Sequence, residues 1–183
     1  MAAQFEADTA DELWRIAAHA LISKERARRT GSRLGHTYEL LHCSLTLHNP
    51  RARWVLSRTP PINPAFAIAE SLWIIAGRQD AHLVNYWNPA LPRFAGSGDR
   101  YHGAYGHRLR KHFDVDQLER AYQALRNNSS TRQVVLQIWD PRGDLPTDDG
   151  QPTAPDIPCN LLSCLKVRDG RLEWLQVMRS NDI

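Results

Sequence analysis

Cysteine is scarce in this chain: Cys43, Cys159 and Cys164 are the only three. An odd number, at spacings unlike those of zinc ligands, argues against a disulfide framework and a metal site, and for reduced thiols in a cytoplasmic setting. Long apolar runs are missing as well. Nothing reaches transmembrane length and no basic-then-apolar leader opens the sequence, so neither a membrane partner nor secretion is expected. Nor does one sign of charge dominate. The 23 basic and 20 acidic residues give a formal net charge of +3 and are interspersed, which argues against a nucleic-acid partner and for a small anionic ligand. Internal repeats and low-complexity tracts are absent too. With 183 residues, 42% of them hydrophobic, a single domain with a real core is the expectation.

Met1 to Phe5 reads as a short frayed start. Thr9-Ala10-Asp11-Glu12 is a capping box, and Leu13, Ile16, Ala17, Ala20 and Leu21 follow at helical spacing. The basic stretch from Lys24 to Arg33, with Gly31 and Gly35, reads as a loop. Thr37 to Leu47 alternates like one strand, which makes Cys43 a core thiol. Asn63-Pro64 opens a second helix that is apolar through Ile75 and stops at Gly77. Asn85 to Tyr105, rich in Trp, Tyr, Pro and Gly, reads as a long ordered loop with a role in function. Asp116 to Arg126 is a helix, Val134 to Trp139 a buried strand, and Gly143 to Pro155 a polar surface loop. Asn160 to Val167 and Leu172 to Met178 form a hairpin around Asp169-Gly170.

Cys159 follows a proline at the start of a strand, so its thiol projects from a sheet rim. The hairpin brings Arg179 back beside Asn160 and Cys159, and a guanidinium neighbour favours the thiolate. The competing reading is a small buried hydrophobe. Glu70, among Ile68, Leu72 and Trp73, either points outward or is a semi-buried acid with a raised pKa, suited to proton transfer through water. Arg29, Arg33, Arg132 and Arg179 could each be surface residues or phosphate ligands, and nothing local separates the two.

Taken in order, Glu70-Ser71-Leu72-Trp73, Tyr105-Gly106 with Leu109-Arg110, Arg132, Pro158-Cys159 and Arg179-Ser180-Asn181-Asp182 resemble the thymidylate synthases and their relatives, the pyrimidine nucleotide hydroxymethylases. The resemblance runs from about Arg33 to the end of the chain. It implies an α+β fold in which a mixed sheet carries the Thr37, Val134, Asn160 and Leu172 strands. The Pro64 and Asp116 helices would pack on one side and a second subunit on the other. It also implies that Cys159 adds to C6 of a pyrimidine nucleoside monophosphate and that C5 takes up a one-carbon unit from 5,10-methylenetetrahydrofolate, without a metal. Glu70 and Tyr105 would handle protons and hydrogen bonds to the base. Arg33, Arg179 and Ser180 would hold the phosphate, with Arg132 reaching in from the other subunit of a homodimer. Asp182 and Trp87 would meet the folate.

Two positions depart from the family pattern: Gln133 stands where a second arginine is usual, and Asn160 where thymidylate synthases have His. Met178 to Asp182 is closer to the hydroxymethylases. The family continues beyond the position of Ile183 with residues that read the base and hold the ribose, so the chain is expected to correspond to an amino-terminal portion of the full domain. Methylation of dUMP is the leading reading. Hydroxymethylation of dCMP or CMP, and a non-catalytic nucleotide-binding or dimerisation module, are the alternatives.

Overall fold

The structure, a computed structural model, describes residues 3–32 and 35–182. The chain divides into two compact units, one running to Asn63 and the other from Pro64 to Asp182.

In the first unit, Thr9 caps α1 (Ala10–Ile22) by accepting the Glu12 N–H at 3.2 Å, as the capping box predicts. Asp11 in the first turn ties down the segment before Asn63, accepting the N–H groups of Leu56 at 2.7 Å and Ser57 at 2.6 Å. Three expectations fail here. Residues 4 and 5 are not frayed: Gln4–Ala7 forms β1, paired in parallel with β4 (Ser44–Leu47). The basic stretch is not a loop, since Arg28–Ser32 (β2) pairs antiparallel with Gly35–Glu39 (β3). Thr37 to Leu47 is not one strand. His42, at φ 56°, turns the chain between β3 and β4 and leaves Cys43 exposed, so this thiol is not in the core.

The second unit opens with α2 (Pro64–Ile75), which ends where Gly77 takes φ 64°, a left-handed stop that suits glycine. The Asn85 to Tyr105 segment is less irregular than its composition suggests. Its start completes α3 (Ala81–Trp87), and Pro92–Ala95 forms α4. Tyr105–His107 (α5) runs directly into a π-helical turn over Arg108–His112. Asp116 caps α6 (Gln117–Asn127) by accepting the Glu119 N–H at 3.0 Å. Then come β5 (Val135–Gln137), α7 (Pro141–Asp144), β6 (Asn160–Arg168) and β7 (Arg171–Met178).

The secondary structure is α+β, but the described strands form three sheets rather than one mixed sheet. The Thr37 region pairs only with β2, and β5-β6-β7 is wholly antiparallel. Alternation along β5 sends Leu136 inward, where it packs with Val134, Ile138, Leu165 and, from the helices, Leu109 and Ala121. Leu118 and Leu125 of α6 and Ile74 of α2 pack on the same cluster. A second cluster centres on Trp73, Ala81, Val84 and Tyr101, with the Trp73 indole N–H donating to the Asp80 carbonyl at 2.9 Å. Gln117 bonds the outer edge of β5: its carbonyl accepts the Gln137 N–H at 2.7 Å and its amide donates to the Gln137 carbonyl at 2.9 Å.

Candidate active site

The β6-β7 hairpin turns at Asp169 and Gly170, at φ 50° and 72°, the two positive values a type I′ turn requires. From there Arg168 faces Arg171 and each pair follows in step to Leu162 opposite Val177. A bulge at Leu161 then shifts the register so that Asn160 faces Met178. Bulges of this kind re-aim side chains at sheet rims. The shift brings the Arg179 N–H to the Cys159 carbonyl at 2.9 Å. Cys159 is half-buried behind the fully buried Pro158.

Arg179 does meet the Cys159 segment, in a manner residue type could not specify. Its guanidinium donates through Nε to the Pro158 carbonyl at 2.8 Å and through Nη2 to the Ile157 carbonyl at 2.9 Å. The group that reaches the sulfur is the Ser180 hydroxyl, 3.4 Å from Sγ. Arg179 therefore braces the backbone that presents the thiol, while its Nη1 has no partner among the described residues.

Tyr105 closes another side of the site. Its phenol is held above the usual range by burial, then by the Cys159 sulfur, while the Asn160 and Cys159 backbone and the Asn160 side chain act in the opposite direction. The helix bearing Tyr105 lies close against α2: a Cβ on Gly106 would stand 2.3 Å from the Ile74 carbonyl oxygen. On α2, Glu70 is half-buried, and burial raises its carboxyl above the ordinary range. The semi-buried alternative is the one realised.

Five residues not singled out by the sequence support this arrangement. The Gly103 N–H donates to the Asp156 carboxylate at 2.8 Å, three residues before Cys159, and a Cβ on Gly103 would come 2.2 Å from the Asp156 carbonyl oxygen. Arg108, only 1% exposed, forms a two-pronged pair with the buried Asp144, Nη1 to Oδ2 at 2.8 Å and Nη2 to Oδ1 at 2.9 Å. It also donates to the carbonyls of His102 at 3.2 Å and Ile138 at 3.2 Å. The His102 ring approaches Asp144 at 2.6 Å. One buried ion pair thus joins the turn after Tyr105 to the segment after β5. Burial pushes the Asp144 carboxyl up, but Arg108, the Asp140 N–H and His102 together pull it below the ordinary range. The only sequence signal for the pair is Arg108 following Tyr105-Gly106 closely; its partner stands 36 residues away.

The other predicted residues are dispersed. Arg132 is exposed on the turn before β5. Val135 faces Cys164, so that turn lies toward the hairpin end of β6, roughly 20 Å of strand rise from Cys159. Trp87 ends α3 with its ring edge-to-face on Tyr86 at 5.2 Å. Asp182 is exposed beyond β7. Arg33 lies outside the described residues. Among the described residues no group of three His, Cys, Asp or Glu side chains could hold a metal ion, and no helix is long and apolar enough to cross a membrane.

The chain is 38% identical over 122 residues to a deoxyuridylate hydroxymethyltransferase of Pseudomonas phage M6, covering 66% of this chain and 33% of that protein. A deoxyuridylate hydroxymethyltransferase of Bacillus phage SP01 is 34% identical over 155 residues, 79% of this chain and 39% of the relative. A thymidylate synthase of Clostridium beijerinckii is 27% identical over 160 residues, 84% and 54% respectively. The chain thus spans between a third and about half of the length of these relatives. Residues 11–183 match the family model described as thymidylate synthase. With nearly the whole chain matched and the Cys159, Tyr105 and Arg179 segments gathered at one sheet rim, the chain belongs to the thymidylate synthase family.

Proposed function

We propose that this chain carries the nucleophile, phosphate and proton-handling groups of an enzyme that transfers a one-carbon unit to C5 of deoxyuridylate. The observation that carries the reading is the convergence on Cys159: the Ser180 hydroxyl at 3.4 Å, the Arg179 guanidinium on the two preceding carbonyls, and Tyr105 alongside. Cys159 Sγ adds to C6 of the pyrimidine, and the displaced electron pair moves through C5 toward the C4 carbonyl, making C5 nucleophilic. Glu70, held toward its neutral form by burial, delivers a proton to that carbonyl through water and so stabilises the developing charge. Tyr105 orders the hydrogen bonds around the base. Once C5 has gained its new bond it loses its proton, the bond from the one-carbon unit to the folate nitrogen breaks, water adds in its place to give the hydroxymethyl group, and elimination of Cys159 restores the ring.

Arg179 Nη1 and the Ser180 hydroxyl are the phosphate ligands in this reading, with Arg33 as a further one. Arg132, too far along β6 to serve its own Cys159, reaches the phosphate of a second subunit. The sheet face that carries the exposed Val135 and Leu175 is the surface for that homodimer. The residues suited to the folate are Trp87, whose exposed ring next to Tyr86 offers a flat surface to a pterin, and Asp182, an exposed carboxylate for its N–H groups. Methylenetetrahydrofolate, when bound, supplies the one-carbon unit.

Hydroxymethyl rather than methyl transfer is favoured by Asn160 in place of His, by the hydroxymethylase-like Met178 to Asp182, and by the names of the two phage relatives. Release of tritium from C5-labelled dUMP and dCMP in the presence of methylenetetrahydrofolate tests the reaction, and the product mass separates methyl from hydroxymethyl. Release is expected from dUMP and at background for Cys159→Ser. A Cys159→Ser chain that still releases tritium contradicts the proposal.

A further inference from the structure

A cleft of about 280 Å³ on the second unit shares no lining residue with the Cys159 site. Arg78 and Asp80 line one side, Arg100 another, and His107 and Lys111 a third. The first two walls are stitched by backbone: Tyr101 N–H donates to the Gln79 carbonyl at 2.8 Å and Ala81 N–H to the Asp99 carbonyl at 2.9 Å, around a bridge between Asp80 and Arg100. The third wall is α5 and the π-helical turn. That turn buries Arg108 and Leu109 and commits Arg110 to Asp116 at 2.6 Å, which leaves His107 and Lys111 to the cleft. Turns of this kind are rare and recur at functional sites.

The charge in the cleft is unbalanced. Asp80 is engaged by Arg78 through two bonds, at 2.7 and 3.0 Å. Neither Arg100 nor Lys111 has an ion-pair partner among the described residues. His107 is held below its usual range, first by burial and then by repulsion from His112, Lys111, Arg108 and Arg100. A concave surface lined by two uncompensated cations and an imidazole concentrates anions. A dianion matches that charge, and the imidazole takes up a proton as the anion arrives.

We propose that this cleft binds a phosphate group, free or at the end of a nucleotide, through Arg100, Lys111 and His107, with Arg78 held in place by Asp80. The volume falls below that of pockets that enclose whole drug-sized ligands, so the remainder of a larger ligand stays in solvent. The inference does not rest on the reaction proposed above.

Imidazole NMR of His107 in the 183-residue chain tests it, with orthophosphate, a nucleoside triphosphate and chloride titrated at constant ionic strength. A saturable shift with phosphate, accompanied by a rise in the His107 pKa, is expected; chloride produces neither. The groups facing the ring are Arg78, Asp80 and Arg100 across the cleft and Arg108, Lys111 and His112 on its own segment. Arg100→Gln with Lys111→Gln, both at exposed positions, should weaken binding by about tenfold or more, while Lys111→Arg retains it. Arg179→Gln should leave the response intact, which separates this cleft from the Cys159 site. Tighter binding of the triphosphate assigns the nucleotide source, and equal binding the free ion. A His107 response that is absent, that chloride reproduces, or that survives in the double variant overturns the proposal.

Discussion

Glu70 sits on a helix that is apolar on nearly every side. Ile68, Leu72 and Ile75 are exposed while Trp73 is buried, so the apolar pattern of α2 does not mark which face turns inward. That is why the sequence left the direction of Glu70 open. Burial raises its carboxyl pKa above the ordinary value of 4.5. Below that value the group is protonated in both folded and unfolded chains and carries no penalty. As pH climbs through the raised folded value, the unfolded chain ionises more readily and the folded state loses stability. Glu70→Gln removes this loss. The variant should therefore exceed the parent in urea stability at about pH 7 and match it at about pH 4, while losing tritium release. A stability gain of the same size at both pH values would place the effect in packing rather than ionisation. Cys43 teaches a related lesson at the scale of one residue: strict alternation suggested a buried strand position, yet a left-handed His42 breaks the strand and exposes the thiol.

Among the elements, those fixed by local chemistry were legible. The Thr9 and Asp116 caps, the Pro64 start and the Asp169-Gly170 turn each act within a few residues, and the turn brought Arg179 to the neighbourhood of Cys159, where the bulge at Leu161 completes the register. What escaped depends on partners distant in sequence. The basic stretch becomes β2 only because β3 is there to pair with it, and the π-helical turn follows from packing around Arg108. The Arg108 and Asp144 pair is the clearest case, since neither residue is distinctive in its own segment. Asp144→Asn would leave a buried guanidinium short of its counter-charge, and the expected loss is about 3–5 kcal/mol. The Asp144 carboxyl lies below its ordinary value of 3.8, so the stability it contributes is present above that value and fades as pH falls through the folded one. The variant should thus differ most from the parent near neutrality and least in acid. Chemical denaturation of both chains across pH measures this, and an unchanged neutral stability would show that the pair does not hold these segments together.

At the scale of the whole molecule, the family was legible because its motifs keep their order along the chain, whereas the division of the described strands into three sheets was not, since alternation marks strands without naming their neighbours. The second unit gathers the Cys159, Tyr105 and Arg179 segments at one rim and leaves Arg132 near the other end of β6, which is the geometry the proposed shared site rests on. Everything in the proposed chemistry depends on one bond, from Cys159 Sγ to C6 of a uracil nucleotide. A deoxyuridylate bearing fluorine at C5 cannot lose that substituent as a proton, so the reaction should halt after the thiol has added. Incubating the chain with this nucleotide and methylenetetrahydrofolate, then mapping peptides by mass, is the most direct measurement. The account predicts one nucleotide adduct on the peptide containing Cys159 and none in Cys159→Ser; an adduct on Cys43 or Cys164, or one that persists in the variant, would contradict it.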